Sequence, residues 1–259
     1  MRALYPTVSV LCLAIIVAVV VVLLCMRHKP SNIVQELHAR VERMKDVQGL
    51  DVVVALHEED CQELLDVLPK ARLFVYHKGT GKPNCQVERL PNVGREAHTY
   101  LHHICEHYHN MSEITLFAIG TLLTSNKQYG ETKQRILLHV LDNLHLVRRR
   151  GFVSGKERGP FDAGFKIDSF RSSTDTTTVR LPRSAYRPLW LWYKHFIGGD
   201  MDRVRRVGVT YNGTFAVCRE AVHQYPLQTY IDLRNELARH NTSESVHFME
   251  RSWCPMLSW

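Results

Sequence analysis

Residues 51–56 read DVVVAL, a short apolar run bounded by Gly49 and by the acidic cluster Glu58, Glu59 and Asp60. Such a run predicts a strand buried on both faces, the setting of a parallel strand. Residues 60–68 follow with Cys61, Leu64, Leu65 and Leu68 at helical spacing, closed by Pro69. Residues 72–77 (RLFVYH) predict a second strand. Strand, helix and strand in so short a stretch form a βαβ unit, so the chain is expected to be α/β with a mostly parallel sheet.

The rest of the chain extends this pattern. Residues 86–90 suit an edge strand, and 114–119 (ITLFAI) another buried one. Residues 128–148 predict a long helix with Ile136, Leu137, Val140, Leu141 and Leu144 inward, ending at Arg148, Arg149, Arg150 and Gly151. Residues 151–179 are rich in Gly, Ser, Thr and Asp and predict a long loop region. Trp190, Trp192, Tyr193 and Phe196 form an aromatic cluster; aromatics can stack on sugars, and their default is core. Residues 207–217 alternate around Asn212-Gly213, which predicts a hairpin. Helices are expected at 220–224, 227–240 and 246–257.

Residues 8–26 are almost continuously apolar, about the length that crosses a bilayer and longer than the core of a cleaved signal. The expected organisation is a tail at 1–6, a transmembrane anchor at 7–26, a stem helix at 27–48 and one α/β domain at 49–259. The stem repeats Val34, Leu37, Val41 and Met44 as a short coiled-coil seam. That seam suits either pairing of two chains or a helix laid on its own domain. Arg27 and Lys29 after the span favour a cytosolic domain by the charge rule. Three glycosylation sequons, at Asn110, Asn212 and Asn241, favour a lumenal one. The seven cysteines show no CxxC spacing, so no zinc knuckle is indicated. The net charge of +7 is moderate and comes without a basic run interleaved with aromatics, so a nucleic-acid partner is not expected.

The polar density is highest at residues 90–104, LPNVGREAHTYLHHI. Pro91, Asn92 and Gly94 make a turn, and a buried helix starts near Arg95. A turn feeding a helix N-terminus beside a strand is a common place to hold a phosphate or a sugar. His98 with His102, and His103 with His107, have the i, i+4 spacing that can bind zinc, which admits a metal hydrolase.

The run NVGREAHTYLHHI resembles the signature of the family called domain of unknown function 3431. HEED (57–60), FVYHKG (74–79), TLFAIG (115–120), FAVCREAV (215–222) and MERSW (249–253) match it in order. The family in turn resembles GT-A type glycosyltransferases, which implies a three-layer Rossmann-like domain and a nucleotide-sugar donor. On that resemblance Glu58, Asp60, Lys78, Asn92, Arg95, Glu96 and His98 line the donor side. Asp200-Met-Asp202 spells DxD, two hard carboxylates suited to Mg²⁺ or Mn²⁺. Glu250 is the candidate base, with Arg251 and Trp253 on the acceptor side. The expected activity is transfer of a sugar from a nucleotide sugar to a glycan or glycoconjugate, in the Golgi or ER lumen behind a single-pass anchor. The alternative is a membrane-anchored glycan-binding or scaffolding protein of the same fold without turnover.

Overall fold

The apolar run after Gly49 becomes the strand on which the sheet is built, β1 (Leu50–Leu56), almost wholly buried along its length. The computed structural model describes residues 32–44, 48–123, 127–155, 159–171, 178–211 and 213–259. The expected anchor at 7–26, the sequon residue Asn212 and residues 27–31 and 45–47 lie outside the described residues. No helix of the described residues is long and apolar enough to cross a membrane.

The chain opens with α1 (Asn32–Arg43), then β1, α2 (Cys61–Leu65), β2 (Arg72–His77), β3 (Glu88–Arg89), α3 (Arg95–His107) and β4 (Ile114–Ile119). After these come α4 (Lys127–Asp142), α5 (Val147–Arg150), β5 (Phe152–Val153), and the hairpin strands β6 (Ser169–Arg171) and β7 (Thr178–Arg180). The last part holds α6 (Leu189–Phe196), α7 (Met201–Val207), β8 (Phe215–Cys218), α8 (Arg219–Val222), α9 (Leu227–Leu237) and α10 (Glu244–Leu257).

Six strands form one mainly parallel sheet in the order β3-β2-β1-β4-β8-β5, consistent with a Rossmann-like fold. β1 pairs in parallel with β2 on one side, Leu56 beside His77, and with β4 on the other, Ala55 beside Ile119. The strands that follow β1 therefore leave it in opposite directions. The crevice beyond the carboxyl ends of β1 and β4 is the switch point where open α/β sheets hold ligands. At the far end of β1, Asp51 is fully buried, and its carboxylate takes two bonds from Arg72 and two from Ser112. Those bonds outweigh burial, which alone would raise its pKa, and hold it below the usual value.

Two expectations need correction, and the stem and the cysteines take definite places. The stem helix is laid on its own domain: Ile33, Leu37 and Val41 of α1 are buried in the main core, against α4, and Arg40 pairs with Asp142 at 2.6 Å. A chain-pairing role for that seam would have to expose it. The long helix expected at 128–148 breaks at Asn143, where a short 3₁₀ turn and α5 replace its last turns. Among the described residues the hairpin expected at 207–217 is not found. Val207 ends α7, and only residues 215–218 enter the sheet, antiparallel to β4. Gly213, at φ 59°, packs instead beside Ile119 and Glu96. The cysteines carry a bond no spacing rule revealed: Cys61 and Cys85 are disulfide-linked.

Candidate functional site

A cavity of about 570 Å³ opens at the switch point, over the ends of β1 and β4. Ala55, Leu56, His57 and Glu59 line it from β1, Lys78 from β2, and Ile119, Gly120 and Thr121 from β4. Asn92, Arg95, Glu96 and Thr99 come from α3 and the turn before it, Lys133 from α4, Phe170 and Arg171 from β6, Asn241 from the α9–α10 loop, and Glu250 from α10.

The turn into α3 is strained. Gly94 and Arg95 are both left-handed, at φ 60° and 49°. Only glycine fits the first position, since a Cβ there would meet Leu237 O at 2.8 Å and the His98 Cβ at 2.7 Å. Gly94 N donates to His240 O, which ties the turn to the end of α9. Lys78, only 8 % exposed, donates from Nζ to Val93 O at 2.6 Å and Arg95 O at 2.5 Å. Burial pushes its ammonium down to about 7, against the favourable charge of Glu96. The Arg95 guanidinium lies 5.4 Å over the Phe170 ring and 3.7 Å from Glu96.

Across the cavity Lys133 donates to the Thr121 hydroxyl at 2.7 Å. Burial lowers its pKa, and the carboxylates of Glu59 and Glu96 oppose that shift. Glu59 accepts from His57 N at 2.6 Å, and Asn92 meets His57 Nε2 at 3.3 Å. On α10 the Glu250 carboxylate sits 3.7 Å from the Arg251 guanidinium and 4.0 Å from His247 Nδ1. His247 is itself buried. Burial, then Arg95 and Arg251, bring its pKa down to about 4, so it is neutral at pH 7. The cavity thus combines four cationic side chains with three carboxylates and one aromatic face. That lining suits a ligand carrying both an anionic group and many hydroxyls.

Of the residues singled out in the sequence, Lys78, Asn92, Arg95, Glu96, Glu250 and the sequon residue Asn241 come together here. The others do not. Glu58 is a loop latch: it accepts from the Thr80 amide at 2.7 Å, the Thr80 hydroxyl and the Gly81 amide, and these bonds hold its pKa down. Asp60 caps α2 through Glu63 N and also takes a bond from Asn84. His98 is buried behind the turn, and burial followed by the Lys78 charge lowers its pKa to about 3. Arg251 stacks on Phe165 at 3.8 Å and donates to His247 O. Trp253 is 3 % exposed and packs against Phe215 and Tyr100 in the core, so it cannot offer a face to an acceptor.

The metal readings also need correction. Asp200 spends both oxygens capping α7, accepting from Asp202 N and Arg203 N, and neither aspartate lines the cavity. The pair does not fit a metal bridging a ligand held there. Of the histidines of α3, His102 meets Glu88 at 3.0 Å, while His103 and His107 pack ring against ring at 4.6 Å, His103 also meeting the Tyr76 hydroxyl at 3.0 Å and His107 the Phe74 ring. Among the described residues no group of three His, Cys, Asp or Glu side chains is placed to hold a metal ion.

Of the acidic cluster after β1 the sequence points to Glu58 and Asp60, whereas the cavity takes Glu59. Thr99, Thr121, Lys133, Phe170 and Arg171 are not singled out by the sequence, although Thr121 follows a strand end as Glu59 does. Lys133, Phe170 and Arg171 carry no such signal, because only the tertiary fold brings α4 and β6 to the crevice.

A family model described as protein of unknown function (DUF3431) matches residues 52–258. No curated protein and no solved structure matches the chain. The chain belongs to the DUF3431 family.

Proposed function

We propose that this member of the DUF3431 family is a GT-A-like glycosyltransferase that moves a sugar from a nucleotide sugar to an acceptor hydroxyl. The observation that carries the reading is that Arg95 and Glu250, far apart in sequence, line one cavity at the switch point of a mainly parallel sheet. Glu250 takes the proton of the acceptor hydroxyl. The acceptor oxygen bonds to the anomeric carbon as the bond from that carbon to the nucleoside diphosphate breaks, and the diphosphate leaves with the electron pair. Arg95 offsets the charge that develops on the leaving group. No step is routed through a metal at Asp200 and Asp202, which cap a helix elsewhere.

The same reading places the domain in a lumenal, oxidising compartment behind the N-terminal apolar run. The Cys61–Cys85 disulfide supports this, since such bonds persist mainly outside the cytosol. Asn110 is exposed on the molecule, while Asn241 is exposed but lines the cavity, so a glycan on Asn110 leaves the site open.

One preparation tests both parts. The full chain expressed in a glycosylating cell is expected to lose mass on endoglycosidase treatment and to bind nucleotide sugars. Arg95→Ala is expected to weaken that binding about tenfold, the loss of one charged contact, with little change in melting temperature. An unglycosylated chain open to protease in intact microsomes would return the domain to the cytosol. Unfolding of Arg95→Ala would make the residue structural.

A further inference from the structure

The first turn of α3 faces the cavity through Arg95 and Glu96. Its N-cap residue is Gly94, and no side chain caps it. The opening N–H groups of a helix have no intrahelical acceptor, and they carry the positive end of the helix dipole. A second, independent feature stands one turn further on. Thr99 lines the cavity, is fully buried, and its Oγ1 has no hydrogen-bond partner. A buried hydroxyl left unpaired costs stability, so such groups usually have a use. Two cations flank the turn. Arg95 stands on it, and Lys78 lies beneath it, with two of its three N–H donors committed to Val93 O and Arg95 O.

We propose that the first turn of α3 is the seat of the ligand's phosphoryl group, with the open backbone N–H groups and the Thr99 hydroxyl binding the anion. Lys78 is the positioning residue of this seat. By gripping the carbonyls on both sides of Gly94 it holds the left-handed Gly94–Arg95 turn against its strain, and so fixes the direction in which the helix begins. Glu96 stands in the same turn but is balanced by Arg95 at 3.7 Å and by the nearby charges of Lys78 and Lys133. The seat is built from α3 and Lys78, while Lys133 donates to the Thr121 hydroxyl. The inference rests on the nucleotide-sugar reading only for the kind of phosphoryl ligand, not for the seat itself.

Titration calorimetry of the full-length chain with inorganic pyrophosphate tests it. Wild type is expected to bind. Thr99→Val, which keeps the shape and removes the hydroxyl, is expected to weaken binding about tenfold without lowering the melting temperature. Thr99→Ser should restore most of the affinity. Lys78→Met should weaken binding as strongly as Thr99→Val, and Lys133→Met much less. Wild-type affinity in Thr99→Val, or loss of binding in Lys133→Met alone, would put the anion elsewhere and overturn the seat. A chain that binds pyrophosphate through Thr99 but transfers no sugar keeps the seat and loses the transfer reading. A chain that transfers sugar with an affinity indifferent to Thr99 keeps transfer and loses the seat.

Discussion

Glu250→Gln is expected to lower sugar transfer by about 10²–10⁴-fold, the contribution of a positioned general base, while folding and nucleotide-sugar affinity stay close to wild type. Glutamine keeps the volume of the side chain and its hydrogen-bonding reach but cannot accept the acceptor's proton. The structural cost is expected to be small, because the carboxylate is about a quarter exposed and glutamine fills the same space. Initial rates with a panel of nucleotide sugars, together with melting curves, separate the two effects. A variant that folds, binds and still transfers would remove Glu250 from the chemistry. A wild-type chain that binds nucleotide sugars but never turns them over would leave the glycan-binding reading ahead.

Trp253→Ala is expected to destabilise the domain by about 3–5 kcal/mol, the usual cost of truncating a buried aromatic. The indole lies 5.3 Å from the Phe215 ring and 6.4 Å from Tyr100, centroid to centroid, in the layer where α10 closes over the sheet. Removing it leaves a void that this rigid aromatic group cannot fill. Trp253→Phe should recover a large part of the loss. Denaturant unfolding of both variants decides the matter. A Trp253→Ala chain of wild-type stability with a specific loss of acceptor affinity would restore Trp253 to the acceptor side.

The two tests fall on one motif, MERSW, and show what a sequence can and cannot say. Glu250 and Trp253 are three residues apart on one helix, yet the cavity takes the first and the core takes the second. A motif names residue types; which face of α10 meets the crevice depends on how that helix packs. The strands were legible because DVVVAL and ITLFAI are buried almost throughout and read as apolar runs, and RLFVYH is buried over its second half. The hairpin at Asn212-Gly213 was misread because Gly213 serves a different need, clearance beside Glu96 and Ile119. Asp200 and Asp60 each looked like ligands and proved to be helix caps, the local use that aspartate most often has at such positions. The cleft around Arg95 was pointed to by the polar density of the turn together with the family resemblance, but its far wall, Lys133 and the β6 hairpin, needed the fold.

The most direct test of the nucleotide-sugar cavity is photolabelling of the full-length chain with azido-nucleotide sugars, followed by peptide mapping. Label is expected in the segments that meet at the switch point: residues 57–59, 92–99, 119–121 and 170–171, with Glu250→Gln labelled as well as wild type. Label confined to other parts of the chain, or none that unlabelled nucleotide sugar can displace, would contradict the account.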